Sequence, residues 1–329
     1  MYNKPNRLGG SIMRRLALVF AIVLCLSNAG ICRQLEVHAI DVGQGDCTLI
    51  VSPDGKTTVL IDAGDDGFGA KAVLPYLKKQ HIDHLSYVIA SHYDEDHIGG
   101  LDEVLGGIGV KKIGTVYDRG DKPARSTSAA FKRYSKAAAG RRKTLKLGQV
   151  ISLGGGASVQ CIAENGLIVK KTPISNAAKN ENNLCVALLL TFKKFRYFTS
   201  GDSGGKKSGD YLDVETPMAG VVGHVSAMKV DHHGSASSSN DAFLKKLHPT
   251  VAFIDVGDKN KFKHPTQSAL DRLVKAECTI YQTEAGSGGR ISKAGCDIVA
   301  GGAIKLTTDG LSKFSIACGS KPARSYPIR

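Results

Sequence analysis

The residues Ser91-His92-Tyr93-Asp94-Glu95-Asp96-His97 follow directly on the apolar stretch 87–90, which is typical of a buried β-strand. Four potential metal ligands fall within six consecutive residues there: His92, Asp94, Asp96 and His97. Imidazole and carboxylate groups at alternate positions of a loop can point into one site, and hard or borderline divalent cations bind such donors. The stretch therefore predicts a metal site at a strand end.

Two later strand ends add to this cluster. Asp202 follows the apolar run 195–200, and the pair His232-His233 follows the run 226–231. Side chains from three strand ends can together hold two cations about 3.5–4 Å apart. Asp62, at the end of another apolar run, is expected to orient the ligand loop from an outer position rather than to bind metal itself.

The spacing of apolar runs predicts an α/β protein. Alternating runs and turns indicate strands at 35–42, 47–52, 57–62, 86–91, 149–153, 158–163, 184–192, 195–200, 226–231 and 251–257. Helical spacing predicts helices at 70–80, from Leu101 onwards, and at 126–143, 242–247 and 268–276. No long linker divides the chain, so we expect one domain over residues 32–329, with each half supplying one of two packed sheets.

The ordered motifs resemble those of the metallo-β-lactamase superfamily. More narrowly, they are similar to the hydrolase domain at the C-terminus of ComEC-type DNA-uptake proteins, over roughly residues 35–308. The motifs that carry this resemblance are 41–55 (DVGQGDCTLIVSPDG), 60–64 (LIDAG), 91–101 (SHYDEDHIGGL), 182–190 (NNLCVALLL), 198–202 (FTSGD), 228–235 (MKVDHHGS) and 263–273 (KHPTQSALDRL). The resemblance implies a single-domain, four-layer αββα sandwich with a metal site at one edge of its sheets.

The resemblance also implies a set of ligands for two divalent metal ions. His92 and Asp94 match ligands of the first ion, Asp96 and His97 match ligands of the second, and Asp202 matches the bridge. Many members of the superfamily carry His where Asp94 stands, and this extra carboxylate makes manganese a competitor of zinc. His233 matches the superfamily's ligand histidine better than its neighbour does, although the choice between His232 and His233 stays open.

Further residues are given supporting roles by the same resemblance. Asn182 or Asn183 stands near the position of a third metal histidine in other members, and we assign Asn183 to an outer position. Cys185 stands where the subgroup often has Ser. Asp96, His232 and His264 are the candidate catalytic residues: His232 contacts substrate, and His264 donates a proton or holds the substrate's oxyanion. A structural alternative for His264 is to cap the helix that follows Pro265.

The N-terminus predicts a signal peptide over residues 1–31. Arg14 and Arg15 precede the apolar run 16–26, which is too short to span a bilayer, and small residues follow at 27–29. We therefore expect an exported protein, periplasmic or secreted, with no stable membrane insertion after cleavage. In an oxidising compartment the late cysteines Cys278, Cys296 and Cys318 are the candidates for a disulfide.

Composition and charge limit the classes of function that fit this chain. The net charge of +14 includes four cations in residues 1–29, so the rest of the chain is still strongly basic and is drawn to polyanions. The basic segment 111–147 is either part of a substrate cleft or a solvated surface. We expect a metal-dependent hydrolase of phosphodiester bonds, with DNA or RNA as substrate. The alternatives are a lactonase or another ester or amide hydrolase of the same fold, and a non-catalytic exported polyanion-binding protein.

Overall fold

The computed structural model describes residues 1–2, 34–291 and 296–329. Of the two units into which the chain divides, the structure describes the larger, Gln34–Arg329, except for residues 292–295. Residues 3–31 of the predicted signal peptide lie outside the described residues. Among the helices that the structure does describe, none combines the length and the hydropathy needed to cross a bilayer.

The larger unit contains two nine-stranded sheets. Its strands, in chain order, are β1 (Leu35–Ala39), β2 (Thr48–Val51), β3 (Thr58–Ile61), β4 (Leu85–Ile89), β5 (Ile113–Asp118), β6 (Arg142–Thr144), β7 (Val150–Gly154), β8 (Ala157–Glu164), β9 (Leu167–Ile168), β10 (Ala187–Phe192), β11 (Phe195–Thr199), β12 (Ala227–Lys229), β13 (Val251–Ile254), β14 (Thr279–Gln282), β15 (Asp297–Val299), β16 (Ile304–Thr308), β17 (Lys313–Cys318) and β18 (Lys321–Pro327). The first sheet has the order β18-β17-β16-β1-β2-β3-β4-β5-β6. The second has the order β15-β14-β13-β12-β11-β10-β8-β7, with β9 paired to β8.

Short helices cover the outer faces of both sheets. They are α1 (Leu74–Lys79), α2 (Glu95–Ile98), α3 (Leu101–Ile108), α4 (Ala129–Ala137), α5 (Glu215–Val222), α6 (Asp241–Leu247) and α7 (Gln267–Lys275). A π-helical turn, Gly69–Val73, precedes α1. Tight 3-10 turns occupy Val110–Lys112, Ala177–Lys179, Glu181–Leu184 and Asp231–Gly234.

Three hydrophobic clusters define the layers. Because neighbouring residues of a strand point to opposite faces, Val59 of β3 packs between the two sheets, whereas Leu60 packs under the helices of the first sheet. On the second sheet, Phe253 of β13 packs between the sheets and Ala252 packs under α6 and α7. The layers are therefore helices, sheet, sheet and helices, which confirms the predicted αββα sandwich.

Some predicted elements differ from the structure. The helix predicted over 126–143 is confined to α4, since Gly140 adopts a left-handed conformation (φ 79°) and residues 142–144 pair with β5 as β6. The two halves do not supply one sheet each, because the C-terminal strands β16–β18 return to the first sheet beside β1. Cys278, Cys296 and Cys318, the predicted disulfide candidates, are free thiols.

The arginines of the basic segment are held by acidic or carbonyl groups. Arg119 is fully buried, and its Nε and Nη2 atoms each donate to the Glu181 carboxylate at 2.7 Å. Arg142 donates to the carboxylates of Asp118 and Asp121. Arg133 lies against Asp66, Glu95 and Asp102, and Arg141 donates to the Ile113 carbonyl. Most of the arginine charge in this segment therefore stabilises the fold.

The Arg119–Glu181 pair also positions the metal loop. Glu181 Oε1 accepts a hydrogen bond from the main-chain N–H of Tyr93 at 3.0 Å, next to His92. The Arg119 guanidinium lies 4.2 Å from the centroid of the Tyr93 ring. This partly buried pair thus joins the end of β5 and the 3-10 turn 181–184 to the loop that follows β4.

We expect Arg119→Ala to lower the free energy of unfolding by about 3 kcal/mol, because it leaves the partly buried Glu181 carboxylate without its cation. Urea denaturation would measure the change. The matched control is Arg125→Ala, since Arg125 and Asp121 are exposed and 3.7 Å apart, and such a pair contributes less than about 1 kcal/mol. Equal losses in the two variants would contradict this account.

Candidate metal centre

Asp62 anchors the site at the end of β3. Its main chain is left-handed (φ 58°), a conformation that Asp adopts more readily than most residues. Its Oδ1 atom accepts the Ser91 main-chain N–H at 2.8 Å, and its Oδ2 atom accepts the Ser91 hydroxyl at 2.6 Å. His97 Nδ1 donates to the same Oδ2 at 2.9 Å. Asp62 therefore contacts His97 on the Nδ1 side and turns His97 Nε2 toward the site.

Four of the predicted ligands lie close together, and His97 is one of them. His97 Nε2 lies 3.1 Å from Asp202 Oδ1, and His233 Nε2 lies 3.3 Å from Asp96 Oδ2 and 3.6 Å from Asp202 Oδ1. Ligand atoms of Asp96, His97, Asp202 and His233 all lie within 4.8 Å of one another. Residues from the ends of β4, β11 and β12 therefore meet at one edge of the sandwich.

His92 and Asp94 lie beside this group as a second pair. His92 Nε2 is 3.5 Å from Asp94 Oδ2, and the ring centroids of His92 and His97 are 4.1 Å apart. Asp94 immediately precedes α2 but makes no side-chain capping bond to it. Its side chain is 44% exposed, which leaves the carboxylate able to face a bound cation.

The residues fit a divalent cation. Four buried atoms that face the cluster have no hydrogen-bond partner: Nε2 of His92, of His97 and of His233, and Oδ1 of Asp202. Leaving one buried polar atom unpaired costs about 1–3 kcal/mol, so four together need a compensating partner. A donor set of imidazole nitrogens and carboxylate oxygens is suited to zinc or manganese.

The two adjacent histidines play different parts. His233 Nδ1 donates to the Asp255 carbonyl at 2.8 Å, which turns Nε2 into the cluster. The side chain of His232 is 17% exposed, and its Nε2 atom lies 3.6 Å from Asp202 Oδ2. His233 is thus enclosed within the ligand group, whereas His232 lies at its solvent side, where a substrate would enter.

His264 lies over both of these histidines. Its ring centroid is 5.5 Å from that of His232 and 6.1 Å from that of His233, and its buried Nδ1 atom has no hydrogen-bond partner. Burial and the two neighbouring imidazoles lower the pKa of His264 to about 4. The helix that follows is capped by the Thr266 side chain, which accepts from Ala269. The alternative that His264 caps this helix is therefore wrong.

A family model supports the assignment of this site. The model described as "Metallo-beta-lactamase superfamily" matches residues 40–138, which include the loop from His92 to His97.

The chain has the metallo-beta-lactamase fold, and its residues 40–138 match the model of that superfamily.

Two curated relatives extend the likeness over most of the chain. Over 298 residues it is 26% identical to ComE operon protein 3 of Bacillus subtilis (strain 168), covering 84% of this chain and 34% of that protein. Over 273 residues it is 27% identical to Recombination protein 2 of Haemophilus influenzae (strain ATCC 51907 / DSM 11121 / KW20 / Rd), covering 80% of this chain and 30% of that protein. The chain thus spans about a third of the length of these relatives.

A solved structure shares the fold. The crystal structure of CmlA, a diiron β-hydroxylase from Streptomyces venezuelae, aligns with a TM-score of 0.51 and 14% identity, over 84% of this chain and 54% of CmlA. At this identity the likeness concerns the fold alone. Enzymes of the superfamily are generally hydrolases.

Asn183 has a different place from the one predicted for it. Its amide nitrogen donates to the carbonyls of Ala177 and Asp210, and its amide oxygen accepts the Leu212 N–H at 2.9 Å. These hydrogen bonds go to main chain and hold the loop that follows Asp202. Asn183 therefore supports this superfamily site through a loop, not through a ligand.

Sequence reasoning missed Asp46 and Lys229. Lys229 is only 1% exposed; it pairs with Asp46 and donates to the Gly201 carbonyl at 2.9 Å. Burial alone would lower the pKa of Lys229, but Asp46 and Asp202 raise it above its ordinary value. Asp46 Oδ1 also lies 3.2 Å from His233 Nδ1. Both residues lie inside motifs that carry the family resemblance, Asp46 in 41–55 and Lys229 in 228–235. Their position in these motifs could have indicated that they belong to the site.

Cys185 also borders the site. Its thiol interacts with the His92 side chain and with the Asp202 main-chain N–H. Burial raises the pKa of this thiol. The main-chain N–H of the next residue, Val186, donates to the Ser91 carbonyl at 2.8 Å, which holds this segment against the metal loop.

We expect Asp62→Asn to weaken metal affinity by about 10- to 100-fold, the usual effect of losing the acceptor that orients a ligand histidine. Asn tolerates the left-handed main chain, so the change isolates the charge and hydrogen bond. Competition with a chromophoric chelator measures the affinity, and exposed Asp83→Asn is the control. Unchanged affinity in Asp62→Asn would show that another group orients His97.

Proposed function

We propose that this domain is a metal-dependent phosphodiesterase that acts on nucleic acid. The observation that carries the metal-dependent part is the convergence of the unpaired, buried Nε2 atoms of His97 and His233 on Asp202, with the equally unpaired Nε2 of His92 beside them. The preference for a phosphodiester comes from the charge around the site and from the relatives. Zinc and manganese are both compatible with three imidazoles and three carboxylates.

The position of each residue in the site indicates whether it would hold a metal ion or contact the substrate. His92 and Asp94 would hold one cation and Asp96, His97 and His233 a second, with Asp202 between them. Divalent cations held by these residues would lower the pKa of a bound water to about 7 and would neutralise negative charge on the reacting group. His232 and His264 face the same space from the solvent side, where they can contact the substrate or move a proton.

The free positive charge near the site supports an anionic substrate. Five exposed lysines, with no ion pair among the described residues, lie on two loops beside the ligand residues: Lys206, Lys207, Lys259, Lys261 and Lys263. One loop follows Asp202 and the other leads to His264. The paired arginines of 111–147 contribute less to an open anion-binding surface.

The relatives support a nucleic-acid substrate. One of them is named for recombination, and the two matches cover 84% and 80% of this chain. Because the chain spans about a third of each relative, its substrate stays a proposal.

Export to the periplasm or the medium, predicted from residues 1–31, also stays a proposal, which N-terminal sequencing of the mature protein in fractionated cells would test.

We expect Asp96→Ala to lose bound metal and to lower turnover by more than about 100-fold, since even residues that only orient a ligand change affinity or activity 10- to 100-fold. Mass spectrometry would measure the metal, and bis-(p-nitrophenyl) phosphate and linear DNA would measure activity. A chelator should abolish both activities in the wild type, and zinc or manganese should restore them. The control is His84→Ala, since His84 is a partly exposed histidine outside the ligand group.

Several outcomes would contradict this proposal. Full turnover in Asp96→Ala would remove the metal mechanism. Metal-dependent hydrolysis of lactones without phosphodiester cleavage would favour the ester hydrolase. Polynucleotide binding without any product, steeply dependent on salt and insensitive to chelator, would favour the non-catalytic binder.

We expect His264→Ala to lower kcat by about 100-fold or more while metal content is unchanged, because His264 faces the reacting group as a proton donor or as a partner of the substrate's oxyanion. Proton donation requires the protonated imidazole, which the lowered pKa of His264 makes scarce near pH 7. That role would make the loss larger on a dinucleotide, whose alkoxide leaving group needs a proton, than on bis-(p-nitrophenyl) phosphate, whose leaving group needs none. Equal losses on both substrates would instead assign His264 to binding the substrate's oxyanion.

A further inference from the structure

We propose that Phe262 is a stacking platform for a nucleobase at the rim of the metal centre, and that the domain therefore engages unpaired nucleotides. This inference rests on the proposed nucleic-acid function and names the form of the substrate. It concerns the loop 258–264, here called the rim loop, which runs from the end of β13 toward α7.

Phe262 is a large apolar side chain on the protein surface. Its side chain is 52% exposed, and the other large hydrophobic side chains exposed within residues 34–291 and 296–329 are aliphatic, Val150 and Leu311. Single exposed apolar residues are ordinary on a protein surface. Phe262 differs from the other two because of what its ring contacts.

The Phe262 ring continues a series of rings that leads to the metal ligands. It stacks on His264, with centroids 5.8 Å apart and planes inclined by 25°. His264 in turn stacks on His233, at 6.1 Å and 25°. A flat group placed on the outer side of Phe262 would therefore lie parallel to these rings, next to the site where a phosphodiester would be cleaved.

The rim loop holds this ring in place. Asn260 Nδ2 donates to the carbonyls of Gly257 and His264 at 2.8 Å, and its Oδ1 accepts the His264 N–H at 2.9 Å. Ser287 N–H also donates to the His264 carbonyl at 3.0 Å. An exposed aromatic ring on a loop closed by side-chain hydrogen bonds is pre-organised, so little conformational entropy is lost when a ligand stacks on it.

Three lysines of the same loop indicate what approaches the ring. Lys259, Lys261 and Lys263 are exposed, and Lys261 Nζ lies 5.1 Å from the Phe262 ring centroid. An aromatic face flanked by cations is the arrangement by which proteins bind single-stranded nucleic acid, stacking a base and contacting the backbone. The acyl chain of a lactone has no charge for these lysines to contact.

The ring can stack only on a base that is free of its own neighbours. In a duplex the flat faces of the bases are covered by the adjacent pairs, and proteins that stack aromatic residues on bases act on single strands, loops or ends. The geometry therefore favours unpaired nucleotides over intact duplex.

The test is the affinity of the metal-loaded full chain for a single-stranded phosphorothioate oligonucleotide that contains 2-aminopurine. Phe262→Ala and Phe262→Leu should weaken binding by roughly 5- to 100-fold and abolish the quenching of 2-aminopurine, whereas Phe262→Tyr should preserve both. The Leu variant separates ring stacking from apolar contact. The dependence of affinity on salt should stay unchanged in these variants and become shallower in Lys261→Gln.

Controls make the result specific to the base. Leu311→Ala removes an equally exposed apolar side chain elsewhere and should bind like the wild type, and metal content and melting temperature should be unchanged in every variant. On an abasic oligonucleotide the wild type and Phe262→Ala should bind alike. Undiminished binding by Phe262→Ala, or an equal loss of affinity on the abasic strand, would overturn the proposal that Phe262 stacks on a base. Cleavage of oligonucleotides by the wild type would still support the proposed nuclease function in that case. A wild type that neither binds nor cleaves oligonucleotides would overturn the proposed function itself.

Discussion

The hydrogen bond from His97 Nδ1 to Asp62 decides which nitrogen of His97 faces the metal centre, and much of the site depends on that choice. A neutral imidazole has one donor and one acceptor nitrogen. Because the carboxylate of Asp62 can only accept, it takes the N–H and leaves Nε2 as the free electron pair. The Asp255 carbonyl does the same for His233. The fold thus prepares ligands by placing an acceptor behind each of these two histidines.

A second constraint holds the two sheets together at this edge. Asp46 comes from the loop between β1 and β2 of the first sheet, and Lys229 ends β12 of the second. Both are buried, and removing one partner of a buried ion pair typically costs about 3–5 kcal/mol. The Asp46 main-chain N–H also donates to the Asp96 carbonyl at 3.1 Å. The same pair therefore fixes the distance between the ligand loop and the His232-His233 turn.

The apolar runs predicted two packed sheets with polar clusters at the strand ends, and the resemblance to the superfamily implied the four-layer sandwich. The site residues could be recognised because they follow apolar runs at strand ends. The sequence could not show that β16–β18 join the first sheet, since strand periodicity carries no information about pairing partners. Asp46 and Lys229 were missed because each is an ordinary charged residue until the fold buries it against the other. The capping alternative for His264 was wrong because Thr266, two residues later, supplies the cap.

The positions of the positive charges matter more for substrate binding than the net charge of the chain. A basic chain is drawn to polyanions, yet the arginines of 111–147 are held by carboxylates or carbonyls, as their planar, many-donor guanidinium groups favour. The unpaired cations near the site are lysines, whose compact ammonium groups contact phosphate without fixing its orientation. Such contacts bring any polynucleotide to the site but do not select its form. Selection then has to come from a group that senses whether bases are paired, and the exposed ring on the rim loop is the group in the described residues best placed to do so.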